Sequence, residues 1–302
     1  MAVYSNSKLR SFEQCPLQFR LRYVDRIPSD LESIEAFTGK RAHEALEWLH
    51  ERVRDGQVPT LEDTLAVYTA RWDACWHRLV HTVRRDMPPG AYRRRGSRCV
   101  EHYYRGNWPF DSDRTLALEA QIRFSLDPST QVMGYIDRVA ESGDGTLLVH
   151  DYKTGSYMPR REELVGDLQL TIYQLGAARR WPDHGTPRLV WHFLAFGRKV
   201  TVALGDAIDR QRRELARRVA VVEAAVAANR PWEAKVSRLC DWCAFRPVCP
   251  EHGGDLERRD GIVLAEAERP AAGREARRSS GGPTGTSEGA SATSRTDQLD
   301  LI

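Results

Sequence analysis

Between Thr115 and Lys153 apolar residues recur at every second position, and two turn signals cut this run into three strands. Leu116, Leu118, Ala120, Ile122 and Phe124 alternate with Ala117, Glu119, Gln121 and Arg123. Side chains two apart leave a strand on the same face, so this segment must bury one of its faces. Asp127-Pro128-Ser129-Thr130 ends the first strand, Val132 to Val139 is the return, and Gly143-Asp144-Gly145 turns the chain into a more buried third strand, Thr146 to Lys153. Three consecutive antiparallel strands therefore set the centre of the fold. Gly166 to Arg180 reads as a helix, Leu189 to Phe196 and Lys199 to Ala203 as a strand pair around Gly197, and Asp206 to Ala228 as a long helix. Residues 1 to about 110 read as helices. Ala42, Leu46, Leu49 and Val53 share one face of a helix over Ala36 to Arg54, and Thr60 caps a second helix running to about Arg85, before Pro88-Pro89-Gly90 breaks the run. The expected architecture is a mixed α/β core with an N-terminal helical cap.

The 302 residues are 41% apolar, enough to bury a core, and no apolar run approaches the roughly 18 residues that would span a bilayer. MAVYSNSKLRSFEQCP lacks the apolar stretch of a secretory signal, which points to the cytoplasm and to reduced thiols. After about Ala265 large apolar residues almost vanish, so a folded unit over 1–265 is expected to precede a disordered tail over 266–302. The net charge of +3 is too small to announce a polyanion by bulk attraction. Distribution says more. Arg93, Arg94, Arg95 and Arg98 lie near Tyr92, Tyr103, Tyr104 and Trp108, and further basic clusters fall at Arg160-Arg161 and at Arg210, Arg212, Arg213, Arg217 and Arg218. Interleaved cations and rings suit a path for single-stranded nucleic acid; solvated helix faces are the plainer alternative.

Asp137 lies on one strand, and Asp151 and Lys153 lie two apart on the next. Alternation puts Asp151 and Lys153 on one face, and hairpin pairing brings Asp137 within their reach. Adjacent carboxylates repel unless a cation lies between them, so a hard divalent ion, Mg²⁺ or Mn²⁺, accounts for the set, with the lysine stabilising charge on a phosphate. A surface ion pair is the competing account of an isolated Asp-x-Lys. Elsewhere, Gly39-x-x-x-His43 places a histidine on the N-terminal helix, and Gln169-x-x-x-Tyr173 sets two polar groups on one helix face.

Taken in order, Gly39/His43, Gly134-Tyr-Ile-Asp137-Arg, Asp151-Tyr-Lys-Thr-Gly155 and Gln169-x-x-x-Tyr173 resemble the RecB-type branch of the PD-(D/E)xK nuclease superfamily, from Tyr4 to Pro250. The resemblance implies a restriction-endonuclease-like mixed sheet flanked by helices. It also implies metal ligation by His43, Asp137, Asp151 and the carbonyl of Tyr152, water activation by Lys153, and positioning by Gln169 and Tyr173. Glu119 is a possible accessory acid. Ile136 stands where the superfamily name has proline, and no ligand is lost by it. The implied activity is metal-dependent hydrolysis of DNA, by an exonuclease acting on single strands or ends in repair or recombination. The chain has no Walker A motif, so a helicase would be a separate partner. A nuclease-like DNA-binding or scaffold subunit without turnover is the alternative, and a zinc-stabilised RNA-processing protein is a third reading.

Cys240-x-x-Cys243-x5-Cys249-Pro250 near the end of the folded unit, with Cys15-Pro16 near its start, suits a bound metal in a reducing compartment. Four thiolates fit a [4Fe–4S] cluster or zinc. One cysteine before the core and three after it resemble the iron–sulfur staple of AddB-type and CRISPR-adaptation nucleases, which implies the cluster. Closing a loop of about 225 residues would contribute on the order of 5 kcal/mol. Cys75 and Cys99 read as ordinary thiols. The last residues, Gln298-Leu299-Asp300-Leu301-Ile302, resemble the peptide by which bacterial repair and replication proteins dock on the sliding clamp; about 30 flexible residues before it would raise its effective concentration there.

Overall fold

Side-chain caps fix where most of the helices begin. In the computed structural model, which describes residues 2–29, 31–228 and 231–257, Ser5 accepts from Lys8 N–H at the start of α1 (Asn6–Gln14) and Cys15 Sγ from Gln18 N–H at α2 (Pro16–Phe19). Ser33, on β2 (Glu32–Ser33), caps α3 (Ile34–Arg54) through Ala36 N–H. Thr60 and Asp63 form a reciprocal capping box at α4 (Leu61–Cys75). That helix stops at Cys75, short of the expected Arg85, because Trp76 leaves the helical path, stacks on Trp72 at 5.8 Å and meets the edge of Phe37 at 5.4 Å. The chain then forms β3 (Val80–His81), which pairs parallel with β2. Pro89 occupies the first turn of α5 (Pro89–Asn107), so the Pro-Pro-Gly signal starts a helix as well as ending one. Phe37, Leu46, Leu49, Tyr68, Tyr92 and Val100 bury the inner faces of α3, α4 and α5 in one helical core.

The three strands expected from the alternation form β4 (Asp113–Ser125), β5 (Thr130–Ser142) and β6 (Leu147–Lys153), antiparallel in sequence. After α6 (Arg161–Val165) and α7 (Leu168–Arg180), β7 (Arg188–Phe193) returns parallel to β6 and β8 (Arg198–Val202) adds antiparallel to β7. The strand expected to reach Phe196 ends at Phe193, where Leu194–Phe196 close a tight turn and Gly197 takes a left-handed φ of 60°. α8 (Ile208–Ala227) covers the sheet with Leu215, Val219 and Val222. The N-terminal β1 (Ala2–Tyr4) was not expected, since three residues are too few to show a period; it pairs parallel with Thr130–Val132 of β5. The result is a six-stranded mixed sheet flanked by helices, the restriction-endonuclease-like α/β architecture implied by the motifs. The expected tail and its terminal peptide, residues 266–302, lie outside the described residues. Among the described residues no helix is long and apolar enough to cross a membrane.

The pairing leaves a fork in the sheet. β4 runs along one edge of β5 from Gln131 to Ser142, so β1, at residues 130–132, and β6, at residues 138–141, must share the other edge. Between them, residues 133–137 of β5 face no strand on that edge among the described residues. Met133, Gly134, Tyr135 and Asp137 border a cleft there.

Behind the fork, the sheet face toward α3 and α5 is polar. Arg138 donates to Asp113 at 2.6 Å and to His150 at 3.0 Å, and the His150 and His192 rings share a hydrogen bond of 2.9 Å. His50 and Tyr152 both hydrogen-bond the Tyr103 hydroxyl, at 2.6 and 3.1 Å. Burial first, and then the Arg138 charge, hold His50, His150 and His192 neutral, well below the ordinary histidine range. Arg138 is 2% exposed and ion-pairs with Asp113. Replacing Asp113 by alanine strands that charge, so Asp113→Ala is expected to cost about 3–5 kcal/mol in urea denaturation, against about 1 kcal/mol for removing the surface cap by Thr60→Ala. Equal, small losses would show that Arg138 does not depend on its partner.

Candidate active site

The β5–β6 ladder ends at Arg138 opposite His150, so Asp137 and Asp151 are the next residues along as the strands part. There a side chain replaces the missing backbone partner: Tyr152 N–H donates to Asp137 Oδ2 at 2.6 Å. His43, from α3, spans the same opening, with Nδ1 3.2 Å from Asp137 Oδ1 and Nε2 donating to the Tyr152 carbonyl at 2.9 Å. Burial opposes a charge on this ring, but Asp137, followed by Glu119 and Asp151, outweighs it and raises the His43 pKa to about 9.

Glu119 approaches from the other side of β5. Its neighbours pair regularly, Leu118 with Arg138 and Ala120 with Ile136, while Glu119 itself takes a left-handed φ of 45°. A non-glycine residue in that region stores about 1–3 kcal/mol of strain and persists only where its surroundings impose it. Ligand atoms of His43, Glu119 and Asp137 all lie within 4.8 Å of one another. An imidazole and two carboxylates so placed fit one divalent cation.

Asp151 and Lys153 share a face, as alternation requires, with Lys153 Nζ 2.9 Å from Asp151 Oδ2. Lys153 also donates to Gln169 Oε1 at 2.8 Å. Gln169 Nε2 in turn donates to Asp151 Oδ1 at 3.0 Å and to the Tyr173 hydroxyl at 2.8 Å. The amide therefore has one sensible orientation, oxygen to the ammonium and nitrogen to the carboxylate. Asp167 sets the start of this helix by accepting from Gln169 N–H at 2.8 Å, and Arg10 pairs with Asp167 at 3.1 Å. Gly134 lets α7 come close, because a Cβ there would stand 3.3 Å from Tyr173 Cε1. Asp151 is 3% exposed, and among the described residues its Oδ2 has the ion pair with Lys153 but no hydrogen bond of good geometry. Burial raises its pKa to about 6, with Lys153 pulling it down and Asp137 pushing it up. A cation beside both carboxylates would relieve this conflict.

His43 and Asp137 meet as expected, and Glu119 joins them; Asp151 stays with Lys153 and Gln169 outside that group of three, and the Tyr152 carbonyl is occupied by His43. Trp191 was missed. Opposite Asp151 in the parallel β6–β7 register and 1% exposed, its ring lies 4.7 Å from Lys153 Nζ. Inward alternation of Leu189, Trp191 and Phe193 marks it as buried, but a parallel register is not readable from sequence.

These side chains open into a cleft of about 870 Å³ lined by His43, Asp137, Asp151, Lys153, Gln169 and Tyr173. Of the basic clusters, Arg95 and Arg218 also line it, and Arg95 donates to the Thr154 carbonyl at 3.0 Å. Arg93, Arg160 and Arg217 form surface ion pairs instead. Tyr103 and Tyr104 are buried in the helical core and offer no stacking surface, which corrects that part of the expected path.

The segment around Cys15 packs against the segment around Cys243 and Cys249. Leu17, Leu21, Phe245 and Val248 form a small core flanked by Cys15, Cys243 and Cys249. Cys15 Sγ accepts from Gln18 and Lys235 N–H, and Cys240 Sγ from Ser237 N–H, each at 3.4 Å. Burial, then the neighbouring Cys15, Cys240 and Cys249, push the Cys243 thiol up. Among the described residues these sulfurs do not form a group tight enough for one ion; His43, Glu119 and Asp137 do.

A sequence profile of the PD-(D/E)XK nuclease superfamily matches residues 3–250. No curated protein matches the sequence.

Because strain and a candidate ligand meet at one residue, Glu119→Gly is expected to raise stability without metal by about 1 kcal/mol while weakening Mn²⁺ binding roughly tenfold or more. Denaturation in EDTA and calorimetric titration check the two halves; lower stability with unchanged Mn²⁺ affinity would contradict both.

Proposed function

The chain belongs to the PD-(D/E)XK nuclease superfamily, whose members hydrolyse phosphodiester bonds, and on that premise we propose that it is a divalent-metal-dependent DNA exonuclease of the RecB type, acting on single strands or ends in repair or recombination. The observation that carries this reading is the convergence of His43, Glu119 and Asp137 at the sheet fork, with the buried Asp151–Lys153 pair next to them. His43, Asp137 and Asp151 would hold the ion, with Glu119 and the Tyr152 carbonyl as further oxygen donors. When bound, the ion supplies positive charge for the scissile phosphate and lowers the pKa of water. The protein's own part is positional. Gln169 and Trp191 fix Lys153 so that its ammonium faces developing negative charge, and Tyr173 fixes Gln169. The test is Mn²⁺- or Mg²⁺-dependent release of nucleotides from a labelled single-stranded oligodeoxynucleotide. Asp151→Asn and Lys153→Ala are expected to lose at least about 10²–10³-fold in rate. Wild-type rates in both variants, or activity that survives EDTA, would refute the assignment.

The cysteines complete the proposal. Cys15, Cys240, Cys243 and Cys249 would hold a structural [4Fe–4S] cluster. N–H groups aimed at Cys15 and Cys240 suit thiolates, and Cys15, Cys243 and Cys249 flank one small core. Zinc, which also takes four thiolates, is the alternative occupant of the same four residues. Protein purified without oxygen is expected to carry iron and sulfide and to absorb near ~400 nm; one equivalent of zinc without iron would replace the cluster in this account. A helicase partner, a cytoplasmic location and a sliding-clamp contact through Gln298–Ile302 belong to the same reading. The clamp contact is tested by a pull-down that should fail when residues 298–302 are removed.

A further inference from the structure

The segments that carry the cysteines also build a wall of the cleft. Arg10, Glu13 and Gln14 come from α1, just before Cys15, while Trp242 lies between Cys240 and Cys243; all four line the cleft. The Trp242 ring is held in place. Its Nε1–H donates to Glu35 Oε2 at 3.1 Å, and the other carboxylate oxygen of Glu35 accepts from the Tyr92 hydroxyl at 2.8 Å. Glu35 sits in the first turn of α3, where the helix dipole favours a carboxylate, and His43, about two turns further along, also lines the cleft. One helix thus carries both the anchor of the ring and a candidate metal ligand.

A half-buried indole fixed at the wall of a cleft that also presents Arg10 and Arg95 is a stacking surface for a flat, polyanion-borne ring. Bases inside a duplex have both faces covered by their neighbours, so only an unpaired base can use it. We infer that Trp242 is a specificity-determining residue that stacks on an unpaired nucleobase, and that Glu35 and Tyr92 are positioning residues that hold its ring. The nature of the ligand rests on the nuclease reading; the stacking itself is tested without catalysis.

The experiment is fluorescence anisotropy of the full chain with a labelled single-stranded oligodeoxynucleotide and with a blunt duplex of the same sequence, in Ca²⁺ without Mn²⁺ or Mg²⁺. Trp242→Leu is expected to weaken single-strand binding roughly tenfold, the worth of one base–ring stack, with Trp242→Phe recovering most of it and duplex binding unchanged. Glu35→Ala gives a smaller loss that Glu35→Gln repairs. Wild-type affinity in Trp242→Leu, equal losses for single strand and duplex, or a phenylalanine variant no better than leucine would overturn the inference. If Trp242→Leu fails to fold by circular dichroism, the tryptophan quench on adding the single strand decides: it should be smaller in Trp242→Phe, and its full persistence overturns the proposal. A chain that binds single strands through Trp242 but does not cut them in Mn²⁺ would remove the nuclease reading and leave this one standing.

Discussion

A backbone N–H that has lost its strand partner organises this protein. Where β6 peels away from β5, Tyr152 N–H turns to the carboxylate of Asp137, and the Tyr152 carbonyl turns to His43. Buried main-chain groups must be paired, so the opening of the sheet dictates that a short acid stand at position 137 and that a helix bring a donor to the carbonyl. The same opening creates the cleft. Scaffold and candidate chemistry are therefore set by a single topological event, the sharing of one edge of β5 by β1 and β6.

Around that event the protein accepts local costs. Glu119 is strained, and Asp151 is a buried acid beside a second one. Either feature alone would be a defect in a structural sheet, and together they mark a place where a cation reconciles groups that otherwise oppose one another. The polar layer of Arg138, His150 and His192 behind the fork is the counterpart: its hydrogen bonds tie β5, β6 and β7 together at the height where the acids emerge on the opposite face. Rigid backing of this kind keeps short side chains in register with one another.

The sequence exposes the parts of this arrangement that are local. Alternation and turn residues gave β4 and β6 to within a residue or two, and with them the shared face of Asp151 and Lys153, while β5, expected over Val132 to Val139, extends from Thr130 to Ser142. Thr60 marked a true helix start. What could not be read depended on contacts distant in sequence. Trp76 ends α4 because Phe37 and Trp72 offer its ring a surface, and β1 exists because residues 130–132 of β5 are free to pair. In the site, Asp137, Asp151, Lys153, Gln169 and Tyr173 fall together as their motifs imply, whereas the closeness of Glu119 to His43 follows from a backbone irregularity that no pattern of residue types announces. Trp191 and Trp242 escaped for the same reason: one depends on a parallel register, the other on a partner 207 residues away.

The central claim is that one divalent ion belongs at the fork, beside Asp137. Anomalous diffraction from crystals grown with Mn²⁺ tests it most directly. The account predicts a manganese peak bounded by His43, Glu119, Asp137 and Asp151. Fully occupied crystals of the intact chain with no peak there, and manganese bound only elsewhere on the surface, would contradict it.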